Sequence, residues 1–151
     1  MEKPYEKYVI REPVIGGGVP PAYHRDPNLI AHLWLGGYNV PETSMKLTVV
    51  PLTKIPDKNP VCVIHSHEVE QFVLYLGEPD SFEVLYNLVP PDEKLENDLM
   101  TYRHQYTITR SGGFYVPAGL RHNVFFVRID KPILEITLMP QAFYDKGPPA
   151  L

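Results

Sequence analysis

The chain has 151 residues, 44% of them hydrophobic, and 14 Lys and Arg against 18 Asp and Glu give a formal charge of −4. That hydrophobicity excludes a disordered chain, and the lack of any basic run removes the electrostatic footprint of a nucleic-acid binder. Seventeen scattered prolines exclude long helices, the single Cys62 excludes an internal disulfide, and no apolar run nears the roughly 18 residues of a spanning helix.

In chain order, residues 1–45 read as an extended arm, punctuated by Gly16, Gly17, Gly18, Pro20, Pro21, Gly36 and Gly37. Its opening MEKPYEKYVIREP lacks the pattern of a signal peptide, so a cytoplasmic protein without a membrane partner is expected. Asp26-Pro27 suits the start of a helical turn through Leu33, while Leu33-Trp34-Leu35 suits a strand equally well. From residue 46 onward, short Val-, Ile-, Phe-, Tyr- and Thr-rich runs recur between turn residues. They predict strands over 46–50, 61–67, 71–76, 82–89, 104–109, 113–116, 123–128 and 133–139, within a barrel covering 46–140. A helix is expected only over 91–100, where Leu95 and Leu99 stand at i and i+4, and 141–151 form a tail. Eight short strands with tight turns predict one all-β sandwich or small barrel.

Six histidines are present, and one pair stands apart. His65 and His67, at i and i+2 near the end of a predicted strand, leave the same face. Two imidazoles on one inward face are costly to bury without a shared partner, and a metal ion is the natural one, although an H-x-H pair also arises by chance. His122 follows the turn Pro117-Ala118-Gly119 and returns a third imidazole toward the same interior.

These residues carry a family resemblance. His65-Ser66-His67, followed by Glu70 or Gln71 and Gly77, resembles the first cupin motif. Pro117-x-Gly119-x-x-His122 resembles the second, and Pro132-Ile133-Leu134 resembles the strand that follows it in small single-domain metal-binding cupins. The resemblance implies a double-stranded β-helix, a jelly-roll-like barrel, with one metal ion between the two motifs. Asn59-Pro60 replaces the leading glycine of motif one, and Phe126 replaces the asparagine closing motif two. Distance from the histidines picks Gln71 as fourth ligand, whereas distance to Gly77 picks Glu70. We favour Gln71, because the histidines fix the turn more directly. Imidazole with carboxamide or carboxylate suits one divalent Fe, Mn, Ni, Co or Zn.

Residues in phase with these ligands line the interior. Val73 and Tyr75 follow Gln71, and Val124 and Phe126 follow His122, serving core packing or substrate contact. His104 shares a face with Tyr106 and Ile108 and reads as a catalytic acid or base or as a surface imidazole. Glu135, amid ILEITL, is a general base or an outward group. Arg121 and Arg103 are either clamps for a substrate carboxylate or, as neighbours of inward residues, outward-facing side chains, and Tyr23 and His24 either fold over the mouth or belong to a solvated loop. The expected function is a metal-dependent cupin enzyme acting on a small oxygenated molecule, anionic or enolisable. Dioxygenase chemistry is favoured slightly over isomerase, decarboxylase or lyase chemistry. A non-catalytic small-ligand-binding cupin is the alternative. A homodimer is expected, with Tyr5, Tyr8, Val9 and Ile10 of the arm available to pair with a neighbouring subunit.

Overall fold

Buried and less buried residues alternate along Lys46–Leu52 and Gln71–Leu76, the period-two pattern of a strand with one face on a core. The computed structural model describes residues 8–10, 33–37, 39–95, 97 and 104–141. They form β1 (Leu33–Leu35), β2 (Lys46–Leu52), β3 (Gln71–Leu76), β4 (Phe82–Val89), β5 (Gln105–Ile108), β6 (Gly112–Val116), β7 (Arg121–Ile129) and β8 (Ile133–Met139). Two antiparallel sheets result, ordered β1-β2-β8-β3-β6 and β5-β4-β7. No helix among the described residues is long and apolar enough to cross a membrane.

The sheets face one another across a core that includes Val73, Tyr75, Phe82, Val84, Tyr86, Val116, Phe126 and Ile133. In β3 the inward residues Gln71, Val73 and Tyr75 are buried, while Phe72, Leu74 and Leu76 are exposed. Tyr86 of β4 stacks on Phe114 of β6, and Tyr75 of β3 meets Phe126 of β7 edge to face. Aromatic rings thereby join the two layers.

β3, β4 and β8 coincide with the runs expected at 71–76, 82–89 and 133–139. Leu33–Leu35 is a strand and pairs with β2, which settles the choice left open there. The expected strand over 61–67 does not form. That segment bends along the free edge of β7, touching it through an isolated bridge between His65 and His122. Side-chain amides take the place of a ladder. Asn59 donates to Phe126 O at 2.6 Å and accepts from Phe126 N at 2.9 Å, and Asn123 donates to Cys62 O at 3.1 Å.

The expected helix over 91–100 is likewise absent from its described part. Residues 91–95 form a turn and irregular chain, and residues 96 and 98–100 lie outside the described residues. The Arg121 guanidinium donates to Pro90 O and Glu93 O, carbonyls that helix formation would need for itself. Most of the expected arm and the whole of 142–151, including Tyr5, Tyr23 and His24, also lie outside the described residues.

Candidate metal centre

The three motif histidines meet although two come from a bent segment and one from a strand. The backbone of His65 exchanges both bridge hydrogen bonds with His122, N to O at 3.0 Å and O to N at 2.7 Å. His67 is fixed from the other side, its carbonyl accepting Gly119 N at 2.9 Å. Gly119 occupies the third position of the turn Pro117–Leu120 with φ +80°, as a type II turn requires. One turn therefore both delivers His122 and holds His67.

The ligand atoms of His65, His67 and His122 all lie within 4.8 Å of one another. His65 Nδ1 donates to Val63 O at 2.8 Å, and His122 Nδ1 donates to Leu120 O at 3.1 Å. These bonds fix the tautomer and leave each Nε2 with a lone pair for a common cation. Burial pushes the His122 imidazole down to about 3, with the neighbouring His65 adding to the effect and the bond to Leu120 opposing it. His122 is thus neutral at ordinary pH, as a ligand must be.

Gln71 opens β3 facing inward and is buried, its amide Nε2 2.6 Å from His122 Nε2. An amide's two ends exchange by rotation about its last side-chain bond, so the same position can present an oxygen to the three imidazoles. Glu70, one residue earlier, takes the opposite face. Its carboxylate accepts from Tyr115 Oη at 2.5 Å on the exposed side of the sheet. This donor set, with His67, His122 and Gln71 buried and His65 half-buried, fits one divalent ion.

The remaining candidates fall at different depths. Tyr75 and Phe126 lie four residues beyond Gln71 and His122, about 13 Å along their strands, and both are completely buried in the core. Both pack within the core, away from the histidine row. Glu135 pairs with Tyr75 across β3 and β8 and shares its depth rather than that of the histidines. Burial pushes the Glu135 carboxyl up to about 7, and the same burial, aided by Glu135, holds Tyr75 well above its usual 10. Although adjacent, Tyr75 Oη and Glu135 Oε2 lack a well-aligned hydrogen bond. Arg121 is turned from the interior, its guanidinium holding the 90–93 turn.

His104 and Tyr106 lie on the same face of the three-stranded sheet as His122. Leu88 N donates to His104 O, and Leu88 pairs with His122, which puts His104, Leu88 and His122 in one row. Opposed residues of antiparallel strands share a face, so His104 belongs to the inner wall. His104 Nε2 lies 2.6 Å from Glu93 Oε2. Tyr106, one inward position along, is 50% exposed.

Two buried residues escaped sequence reasoning. Tyr86 stacks almost parallel on the His122 ring, at 5.9 Å and 7°, while packing on Phe114 behind. Lys46 starts β2 yet is 1% exposed, opposite Met139. Its phase with buried Thr48, Val50 and Leu52 was the available signal.

No family model and no curated protein matches the chain. Among solved structures, a mutant of Bacillus subtilis oxalate decarboxylase OxdC gives a TM-score of 0.52 at 14% identity, covering 75% of this chain and 26% of that one. A structure concerned with the Mn(II) centres of the same decarboxylase gives 0.50 at 15% identity, with the same coverages. Oxalate oxidase in complex with the substrate analogue glycolate gives 0.49 at 16% identity, covering 73% and 50%. The chain spans about a quarter of the decarboxylase chains it matches. Its fold is the all-β cupin fold, the double-stranded β-helix implied by the two histidine motifs. Within that fold, three histidines are gathered into a candidate metal centre.

Proposed function

We propose that this chain is a metal-dependent cupin enzyme acting on a small oxygenated molecule, anionic or enolisable. The observation that carries the reading is the cluster of three imidazoles, with two of their Nδ1 atoms tied to backbone carbonyls. His65, His67, His122 and Gln71 would hold one divalent ion, and the Mn(II) centres of the decarboxylase on the same fold support that class of metal. The ion would supply Lewis-acid or redox chemistry. Three neutral imidazoles and a neutral amide leave its double charge uncompensated, which favours an anionic substrate.

The chain's own residues define the rest of the site. Tyr86 backs His122, its ring lying almost parallel to the imidazole. Tyr106, half exposed on the inner wall, offers an aromatic contact to an entering substrate. His104 is the titratable side chain in the His122 row. The exposed outer faces of Phe72, Leu74, Leu76 and Leu134 support a homodimer formed through the five-stranded sheet.

Dioxygenase chemistry is the branch to test first, ahead of isomerase or lyase chemistry. Metal-reconstituted protein should consume oxygen with at least one member of a panel of diketones and catechols, and His122→Ala should abolish that uptake. No uptake across the panel removes the dioxygenase branch. Bound metal without turnover of any kind would favour the non-catalytic ligand-binding reading.

A further inference from the structure

Three features at the mouth form one device that the histidine motifs do not include. Arg121 precedes His122 on β7 but points away from the interior. Its Nε donates to Pro90 O at 3.2 Å, and its Nη2 donates to Pro90 O and Glu93 O. Glu93 N also donates to Pro90 O at 3.2 Å, which closes the turn. The turn sets the Glu93 carboxylate 2.6 Å from His104 Nε2, and both side chains are largely enclosed. His104 lies across Leu88 from His122, two strand spacings or about 10 Å along one row of the inner face.

We propose that His104, oriented by Glu93, is the proton-accepting group of the metal centre, and that Arg121 is the positioning residue that holds Glu93 in place. The proposal rests on the metal-centre reading above.

A carboxylate accepts hydrogen bonds, so His104 Nε2 carries the proton donated to Glu93 and Nδ1 is left with its lone pair. Among the described residues nothing hydrogen-bonds that Nδ1. A carboxylate behind one ring nitrogen thereby fixes the other as a base, the logic by which an acidic residue orients a catalytic histidine. With an enolisable substrate at the mouth, a C–H bond breaks and an Nδ1–H bond forms. The electron pair stays on the substrate as its enolate. The charge gained by the ring is compensated by Glu93, and reversal returns the proton to carbon.

Other groups are worse placed for this step. Glu135 lies at the depth of Tyr75, away from the histidine row, and Glu70 is bonded to Tyr115 on the outer face. Arg121 is itself suited to its role, because a planar guanidinium can serve two carbonyls at once where an ammonium cannot do so with fixed geometry.

The test has two parts, both on the full chain. In metal-free protein labelled with 15N-histidine, His104 should appear as the Nε2–H tautomer. Glu93→Ala and Arg121→Gln should each convert it to a tautomer mixture, with Arg121→Lys partly restoring the wild-type state. In metal-loaded protein, deuterium should wash from D2O into the methyl group of pyruvate. His104→Gln should slow that exchange at least about 100-fold at unchanged metal content.

An Nδ1–H tautomer in the wild type would overturn the proposal. So would wild-type exchange rates in His104→Gln, or no pyruvate exchange by a wild type that holds its metal. An Arg121→Gln protein with the wild-type tautomer would overturn the positioning role. Failure of the metal-centre reading shows separately, as absence of stoichiometric metal by elemental analysis. The tautomer spectra, recorded without metal, still decide the orientation of His104 in that case.

Discussion

At the scale of single residues, the centre turns on a one-position difference. Gln71 and Glu70 are neighbours on the chain, yet one reaches His122 Nε2 and the other a surface tyrosine. Adjacent residues of a strand face opposite ways, so a single step in phase exchanges amide for carboxylate. We expect Gln71→Ala to lower metal content at least tenfold under limiting metal, and Glu70→Ala to leave it within twofold, as read by elemental analysis. The reverse order would assign the ligand to Glu70. Glu135 makes a different prediction, in stability. Its carboxyl is held up at about 7 against an ordinary 4.5, chiefly by burial. Below about pH 4.5 it is protonated in both folded and unfolded chains. Between about pH 4.5 and 7 the unfolded chain gives up this proton while the folded chain keeps it, so stability falls across that window, by up to about 3 kcal/mol in all. Glu135→Gln should therefore unfold at higher urea than wild type at pH 8, with the gap closing at pH 4.5. A gap that does not change with pH would contradict the buried-acid account.

At the scale of elements, the turn Pro117–Leu120 does two jobs, and Gly119 is the residue both depend on. Its φ of +80° suits glycine, while its N–H holds His67 O. Gly119→Ala should cost about 1 kcal/mol of stability by chemical denaturation and weaken metal uptake beyond that loss. Metal affinity unchanged in a destabilised variant would separate the turn from the site. This turn was readable in the sequence because P-x-G-x-x-H states its own backbone geometry. β3, β4 and β8 were readable for a similar reason, since β-branched and aromatic residues run between clear turn residues. The bent segment carrying His65 and His67 was not. Its apolar content resembles a strand, and Asn59 and Asn123, which replace the ladder, act on residues more than sixty positions away. The missing helical turn after Pro90 has the same kind of cause. Leu95 and Leu99 fit a helix locally, but Arg121 takes the carbonyls from a distance. His104 was legible as a candidate through its phase. Its partner Glu93 was not, because the pairing depends on that irregular turn.

At the scale of the whole molecule, the two sheets divide the work. Their inner faces enclose a core, with Gln71 and His122 buried beside it, while the outer face of the five-stranded sheet presents Phe72, Leu74, Leu76 and Leu134 to solvent. Light scattering coupled to size exclusion should give twice the chain mass at micromolar concentration. Leu74→Lys should shift it toward the monomer, and a wild-type monomer would remove the dimer. The candidate metal centre joins both halves of the sequence, since His65, His67 and Gln71 come from one motif and His122 from the other. An ion held there should bind the folded chain alone and raise its melting temperature with concentration. The most direct test is elemental analysis of the full chain purified without added metal. The account predicts close to one divalent ion per chain, lost in the His67→Ala and His122→Ala proteins. No stoichiometric metal in the wild type, together with no thermal shift on adding Mn, Fe, Co, Ni or Zn, would contradict it.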